Sequence, residues 1–186
     1  MDTKTELLNF AERAVRERGF DGFSYADIAK DVGIRKASIH HHYPAKADLG
    51  IALIERYRQQ FFDHLSGIND RHKTAGARLN AYVTQYKSAL TGGNTLCLCV
   101  ALAINRDRLA DPILLELNQF HEDSVAWLLD VFALGKKDKS IADVTDPTAE
   151  AAACLALVEG AQLVARAAKS TKRFDRATAQ LKNRLT

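Results

Sequence analysis

Along almost the whole chain apolar residues return every three or four positions, and no alternation of period two persists. That spacing keeps side chains on one side of an α-helix, whereas a half-buried strand needs strict alternation. β-Branched runs are missing as well. An all-α fold follows, with about nine helices by its start and stop signals. Leu7, Phe10, Ala11, Ala14 and Val15 stripe a first helix over 4–18, closed by Gly19. A second opens at Ser24 and stops at Gly33, and a third starts near 34 or 35 and breaks at Pro44. The fourth, striped by Leu49, Ala52, Leu53, Tyr57, Phe61 and Leu65, is expected over 45–65, with a polar linker from 67 to 75. A fifth carries Leu79, Tyr82, Val83, Tyr86 and Leu90 and ends at Gly92 and Gly93. A sixth, apolar almost all round, covers 96–105, and a seventh runs from Pro112 to Gly135. An alanine-rich eighth covers 147–169, and Phe174, Ala177, Leu181 and Leu185 mark a ninth. Two of the three prolines follow aspartate, at Asp111-Pro112 and Asp146-Pro147. Aspartate as N-cap with proline in the first turn is a helix start.

With 186 residues, 47% of them hydrophobic, the chain can bury a core and is not disordered. No unbroken apolar run approaches the roughly 18 residues of a membrane span. The first eight residues are polar and mixed in charge, unlike a signal peptide, so a cytoplasmic protein is expected. Three cysteines suit a reducing compartment. Net charge is only +3, so its distribution matters more than its sum. From Val164 onward seven basic residues face Asp175 alone, which reads as a solvated helix face.

The segment 24–43 reads as two short helices joined by a tight glycine turn, the helix-turn-helix unit. Ile28, Ala29, Val32, Ile34 and Ile39 can face inward, and Gly33 supplies the positive φ of the turn. Arg35, Lys36, Ser38, His40 and His42 are then free to meet phosphates and base edges. No acidic residue lies between Asp31 and Asp48.

The stretch GFSYADIAKDVGIRKASIHHHYPAKADL, residues 22–49, resembles the DNA-binding domain of TetR-family repressors. Gly19-Phe20, Ser24, Ile28-Ala29, Gly33-Ile34, Ile39-His40, Tyr43 and Lys46…Leu49 carry the likeness, which spans 7–53. His40 replaces the family's usual tyrosine, and Ala45 its usual serine. The resemblance implies an N-terminal DNA-binding domain over 1–46 and a ligand-binding and dimerisation domain over 47–186. It implies base-edge contacts from Lys36, Ala37 and Ser38, and phosphate or base contacts from His40 and His42. Lys46 would clamp a phosphate, and Tyr25 would touch DNA at the start of the second helix. Ser24, Arg35 and Tyr43 complete the expected DNA-contacting set.

The family also implies a ligand-responsive repressor, a homodimer on a palindromic operator through the last two helices, and a small-molecule effector. Expected pocket residues are Tyr57, Phe61, Tyr82, Tyr86, Cys97, Val100, Phe120, His121 and Trp127. Small residues from Ala152 to Ala168 suit close helix pairing, and the ninth helix offers an apolar edge that a monomer would expose. Some electrophile-responsive TetR-type repressors resemble this chain around Cys97, which opens the sixth helix, where a thiol's pKa is lowered by the dipole. The competing reading is an inert core cysteine.

His40, His41 and His42 turn about 100° apart on a helix and cannot converge on one metal. No phosphate-cradling glycine loop and no catalytic triad order occur, so neither enzyme nor cofactor is expected. Two other classes stay open: an all-α small-molecule-binding protein or enzyme that ignores DNA, and a sequence-indifferent architectural DNA binder.

Overall fold

The computed structural model describes residues 2–186. Among them the regular elements are helical: α1 (Thr3–Arg18), α2 (Tyr25–Val32), α3 (Lys36–His42), α4 (Lys46–Arg71), α5 (Ala75–Ser88), α6 (Leu98–Ala103), α7 (Asp111–Asp138), α8 (Pro147–Ala167) and α9 (Thr171–Lys182). Short 3₁₀ turns lie at Phe20–Gly22, Thr91–Gly93 and Arg106–Arg108, and one isolated bridge joins Ile141 to Leu185.

Local chemistry explains most boundaries. Asp2 caps α1 by accepting from the Thr5 N–H at 2.9 Å. Ser24 and Asp27 form a complete capping box on α2, with Ser24 N donating to Asp27 Oδ2 at 2.7 Å. Gly33 ends that helix at φ 75°, ψ 30°, the left-handed turn that sets the α2–α3 angle. Asp146 accepts from both Thr148 N and Ala149 N, with Pro147 in the first turn of α8.

Three expected boundaries move. α4 continues through Gly67 to Arg71, because Ile68, 1% exposed, prolongs the buried stripe of Leu53, Phe61 and Leu65. α7 passes Gly135, whose missing side chain makes room for Ile141; a Cβ there would lie 2.7 Å from Ile141 Cδ1. The glycine serves close packing rather than a helix stop. α6 is shorter than expected and begins at Leu98.

The described chain packs as two compact units. One takes the residues up to Gln60 together with Leu98–Phe120; the other takes Phe61–Cys97 and His121–Thr186. α4 and α7 therefore contribute residues to both. In the first unit α1 packs on α2 and α6, and α2 packs on α3. Leu7, Ala11, Val15, Ile28, Ile39, Leu49 and Ile54 are wholly buried there. In the second unit α8 packs on α9, and both contact α5. Tyr82, Tyr86, Phe132 and Phe174 are its largest enclosed side chains.

α8 is long and apolar enough to cross a membrane by length and composition, with a mean hydropathy of 1.3 over 18 residues, although polar residues interrupt it. Ala152, Ala153, Ala156, Leu163, Val164 and Ala167 are exposed along it, at spacings that make one stripe. α9 differs from expectation. Phe174 is 0% and Leu181 5% exposed, both buried within this chain, so they offer no open apolar edge. The outward residues of α9 are Lys172, Arg173, Arg176 and Gln180.

Candidate nucleic-acid interface and buried polar core

A seven-residue helix cannot hold itself in water, so α3 must be fixed by packing. Ile39 is its buried residue, at 0% exposure. Lys36, Ala37, Ser38, His40, His41 and His42 are all exposed, as are Arg35 at the N-cap and Ser24 on α2. Basic and hydroxyl side chains thus share the open surface around α3. His40 Nδ1 donates to Pro44 O at 3.1 Å, and its ring stands edge-on to Tyr25, 4.9 Å away. That bond fixes the proton on Nδ1. His41 lies exposed beside His42, with ring centroids 5.5 Å apart.

Of the expected DNA-contacting set, Tyr25 and Tyr43 are buried and Lys46 is half-buried. Tyr25 is 7% exposed, and its hydroxyl lies 2.8 Å from both Tyr43 O and Ala45 O, where it donates. Burial raises its pKa to about 12. Tyr43 is 3% exposed, with its hydroxyl enclosed and without a hydrogen-bond partner. Lys46 Nζ donates to Phe23 O at 2.6 Å and sits 4.2 Å from the Phe23 ring centroid and 4.9 Å from that of Phe20. Partial burial lowers its pKa. Their contacts pin the α2–α3–α4 corner. The signal was present: Tyr25 stands three before Ile28, and Tyr43 four after Ile39, both same-side spacings.

The expected pocket residues divide between the units. In the first, Tyr57 lies 6.2 Å from Phe120, and Val100 is 3% exposed. The second holds Phe61, Tyr82, Tyr86, Cys97, His121 and Trp127. There Tyr82 stacks on Trp127 at 5.3 Å and meets Tyr86 at 5.0 Å, while Phe61 stands edge-on to both tyrosines. Burial pushes both phenols well above the usual tyrosine range, so they stay protonated. Two further members come from α8, Glu159 and Gln162; their signal was polarity inside an otherwise apolar run. Gln162, 0% exposed, accepts from Cys97 N at 2.8 Å and donates to Tyr86 O at 2.7 Å. Cys97 precedes α6 and is 1% exposed, as closed as Cys154 at 1% and all but as closed as Cys99 at 0%.

His121 Nε2 pairs with Glu159 Oε1 at 3.3 Å. The carboxylate raises the imidazole pKa against the opposing effect of burial. A raised folded-state value stabilises the fold fully below the unfolded histidine pKa of about 6.5 and ceases to as pH rises through the folded value. The difference in Tm between wild type and Glu159→Gln is therefore expected to be largest near pH 6 and to shrink toward pH 9. A difference that grows with pH would refute the pairing.

Residues 7–53 match the family described as bacterial regulatory proteins, tetR family. The HTH-type transcriptional repressor NemR of Escherichia coli K12 is 25% identical over 188 residues, spanning 98% of this chain and 93% of the repressor. A TetR transcriptional regulator from Legionella pneumophila superposes with a TM-score of 0.89 at 26% identity, covering 100% of this chain and 98% of that one. A TetR-family transcriptional regulator from Agrobacterium tumefaciens superposes with a TM-score of 0.92 at 30% identity, covering 98% of this chain and 97% of that one. With likeness at that level running nearly end to end in both chains, this protein belongs to the TetR family of bacterial regulators.

Proposed function

We propose that this chain is a ligand-responsive transcriptional repressor that binds a palindromic operator as a homodimer. The observation that carries the reading is the open surface of α3. Arg35, Lys36, Ser38, His40 and His42 stand outward on a helix held by Ile39, within the 1–46 segment proposed as the DNA-reading head. Such a helix suits the major groove, with side-chain donors on base edges and phosphates. The test is footprinting on DNA upstream of the chain's own gene. Lys36→Ala is expected to weaken operator binding by about 1–3 kcal/mol and to relax base preference. Wild-type affinity in that variant would remove α3 as the reader. Equal affinity for operator and bulk genomic DNA would favour an architectural binder instead.

The dimer proposal rests on the exposed stripe of α8, where Leu163 is 40% and Val164 54% exposed. A two-fold contact along that stripe buries small and aliphatic residues against their own copies. α9, with Phe174 and Leu181 already buried, contributes its outer polar side. Val164→Asp is expected to give a monomer by light scattering at micromolar concentration. Its operator affinity is expected to fall roughly tenfold or more through lost bivalency. A dimer unchanged in Val164→Asp would place the contact elsewhere.

The effector is proposed to bind among Phe61, Tyr82, Tyr86, His121 and Trp127 and to release DNA. It does so by preferring one conformational state, so its coupling with operator is reciprocal. Electrophile modification of Cys97 is the second reading, and burial of all three thiols weighs against it. Alkylation with mass mapping separates the two. Cys97 modified alone, with DNA affinity lost, supports the covalent route; a silent thiol in native protein leaves reversible binding.

A further inference from the structure

The second unit encloses polar atoms that its own fold leaves unused. The Tyr82 hydroxyl, the Tyr86 hydroxyl and the Trp127 Nε1 are buried without a hydrogen-bond partner. Tyr82 is 0% and Tyr86 1% exposed, so no bulk water serves them. The two hydroxyls are close enough to influence each other's titration, yet outside hydrogen-bond geometry. Even a bond between them would use only one of the two O–H groups. At least two donors, one phenolic and one indole, therefore remain to be satisfied. An enclosed polar group without a partner is costly, and an acceptor brought by a ligand removes that cost. Gln162 is already committed at both ends of its amide, to Cys97 N and Tyr86 O.

Charge narrows the class. His121 and Glu159 already offset each other at 3.3 Å, so the cluster presents no uncompensated ion. An anionic ligand would be desolvated beside the Glu159 carboxylate, and a cation would compete with His121 for that carboxylate. The cluster is aromatic: Tyr82 and Trp127 stack on each other with an interplanar angle of 21°, and a flat molecule extends such a stack on an outer ring face.

We propose that the effector is an uncharged, flat molecule carrying carbonyl- or ether-type oxygen acceptors, held by the hydroxyls of Tyr82 and Tyr86 and the indole N–H of Trp127. This rests on the reading above that the second unit binds an effector.

The test uses the full chain and three shape-matched probes: 2-acetylnaphthalene, 2-ethylnaphthalene and 2-naphthoate. Trp127 is the chain's single tryptophan, so its fluorescence reports on the cluster. Calorimetry gives the affinities. The ketone is expected to bind about tenfold tighter than the hydrocarbon, the worth of one or two net hydrogen bonds, and tighter than the carboxylate. Tyr82→Phe with Tyr86→Phe is expected to bring the ketone down toward the hydrocarbon, whose own affinity stays unchanged. Each single variant, free of ligand, is expected to melt no lower than wild type, because it loses only an unsatisfied hydroxyl. The single variants carry the affinity comparison if the double variant folds poorly. Equal affinity for ketone and hydrocarbon, a preference for the carboxylate, a ketone preference that survives in the phenylalanine variants, or a lower Tm in both single variants would overturn the proposal. Operator release is measured in parallel. Tyrosine-dependent ketone binding that leaves DNA bound refutes the effector reading and not the ligand class. Release by other compounds, without any ketone preference, refutes the class alone.

Discussion

Ile39→Ala is expected to abolish operator binding and to destabilise the first unit by about 2–5 kcal/mol. The size follows from the geometry of α3. The helix has seven residues, too few for its own backbone bonds to sustain it, and one of them is buried. Removing three heavy carbons from a fully enclosed side chain leaves a cavity at the one buried residue of α3. Valine at the same position keeps most of the volume and is expected to cost only about 0.5–1.5 kcal/mol. The graded pair separates loss of packing from loss of contact, because neither substitution touches an outward side chain. Urea melts and mobility shifts on the same samples check it. Full operator affinity in Ile39→Ala would mean that α3 is held by something other than Ile39.

Gly76→Ala is expected to lower stability by about 2–4 kcal/mol, combining overpacking with a lost helix cap. Alanine normally strengthens a helix by up to about 1 kcal/mol over glycine, so the sign itself is informative. At Gly76 a Cβ would lie 2.5 Å from the Ser140 carbonyl oxygen, which is backbone and cannot turn aside. The same corner caps α5 from outside: Gly76 N donates to Ser140 Oγ at 2.8 Å, and Ala75 N to Asp138 Oδ2 at 2.9 Å. Asp138 in turn accepts from Ser140 N and Oγ, and these bonds lower its pKa. Gly67→Ala serves as control. Its nearest neighbour is the mobile end of Arg71, so stability is expected to hold or rise. A Gly76→Ala protein as stable as wild type would show that the α5 corner yields.

Local chemistry made the helices legible, and tertiary contacts moved their ends. Ser24, Gly33, Asp146 and Pro147 act on their own neighbours, so the residues they cap or stop could be read in order. Gly135 reads as a stop because a lone glycine looks alike whether it ends a helix or admits a neighbour. Only the position of Ile141, six residues beyond Gly135, distinguishes the two. At the head, residue type identified the donors but not their direction. Lys46 and Tyr25 have DNA-binding chemistry, yet the carbonyls of Phe23, Tyr43 and Ala45 claim it. In the second unit Tyr82, Tyr86 and Trp127 stood out as aromatics. Their partners Glu159 and Gln162 arrive from a helix more than thirty residues further along, a pairing no local pattern encodes.

The division of labour on α3 bears on how such a protein diversifies. Stability rests on one inward residue, while Lys36, Ala37 and Ser38 are exposed. Exchanges at those three positions leave the core untouched, so their effect on folding is small. On the reading of α3 proposed above, a duplicated copy can therefore drift at its outer positions toward a new operator without passing through an unfolded ancestor. Libraries randomised at 36, 37 and 38 with Ile39 kept fixed would sample new DNA sequences from a pool of folded proteins.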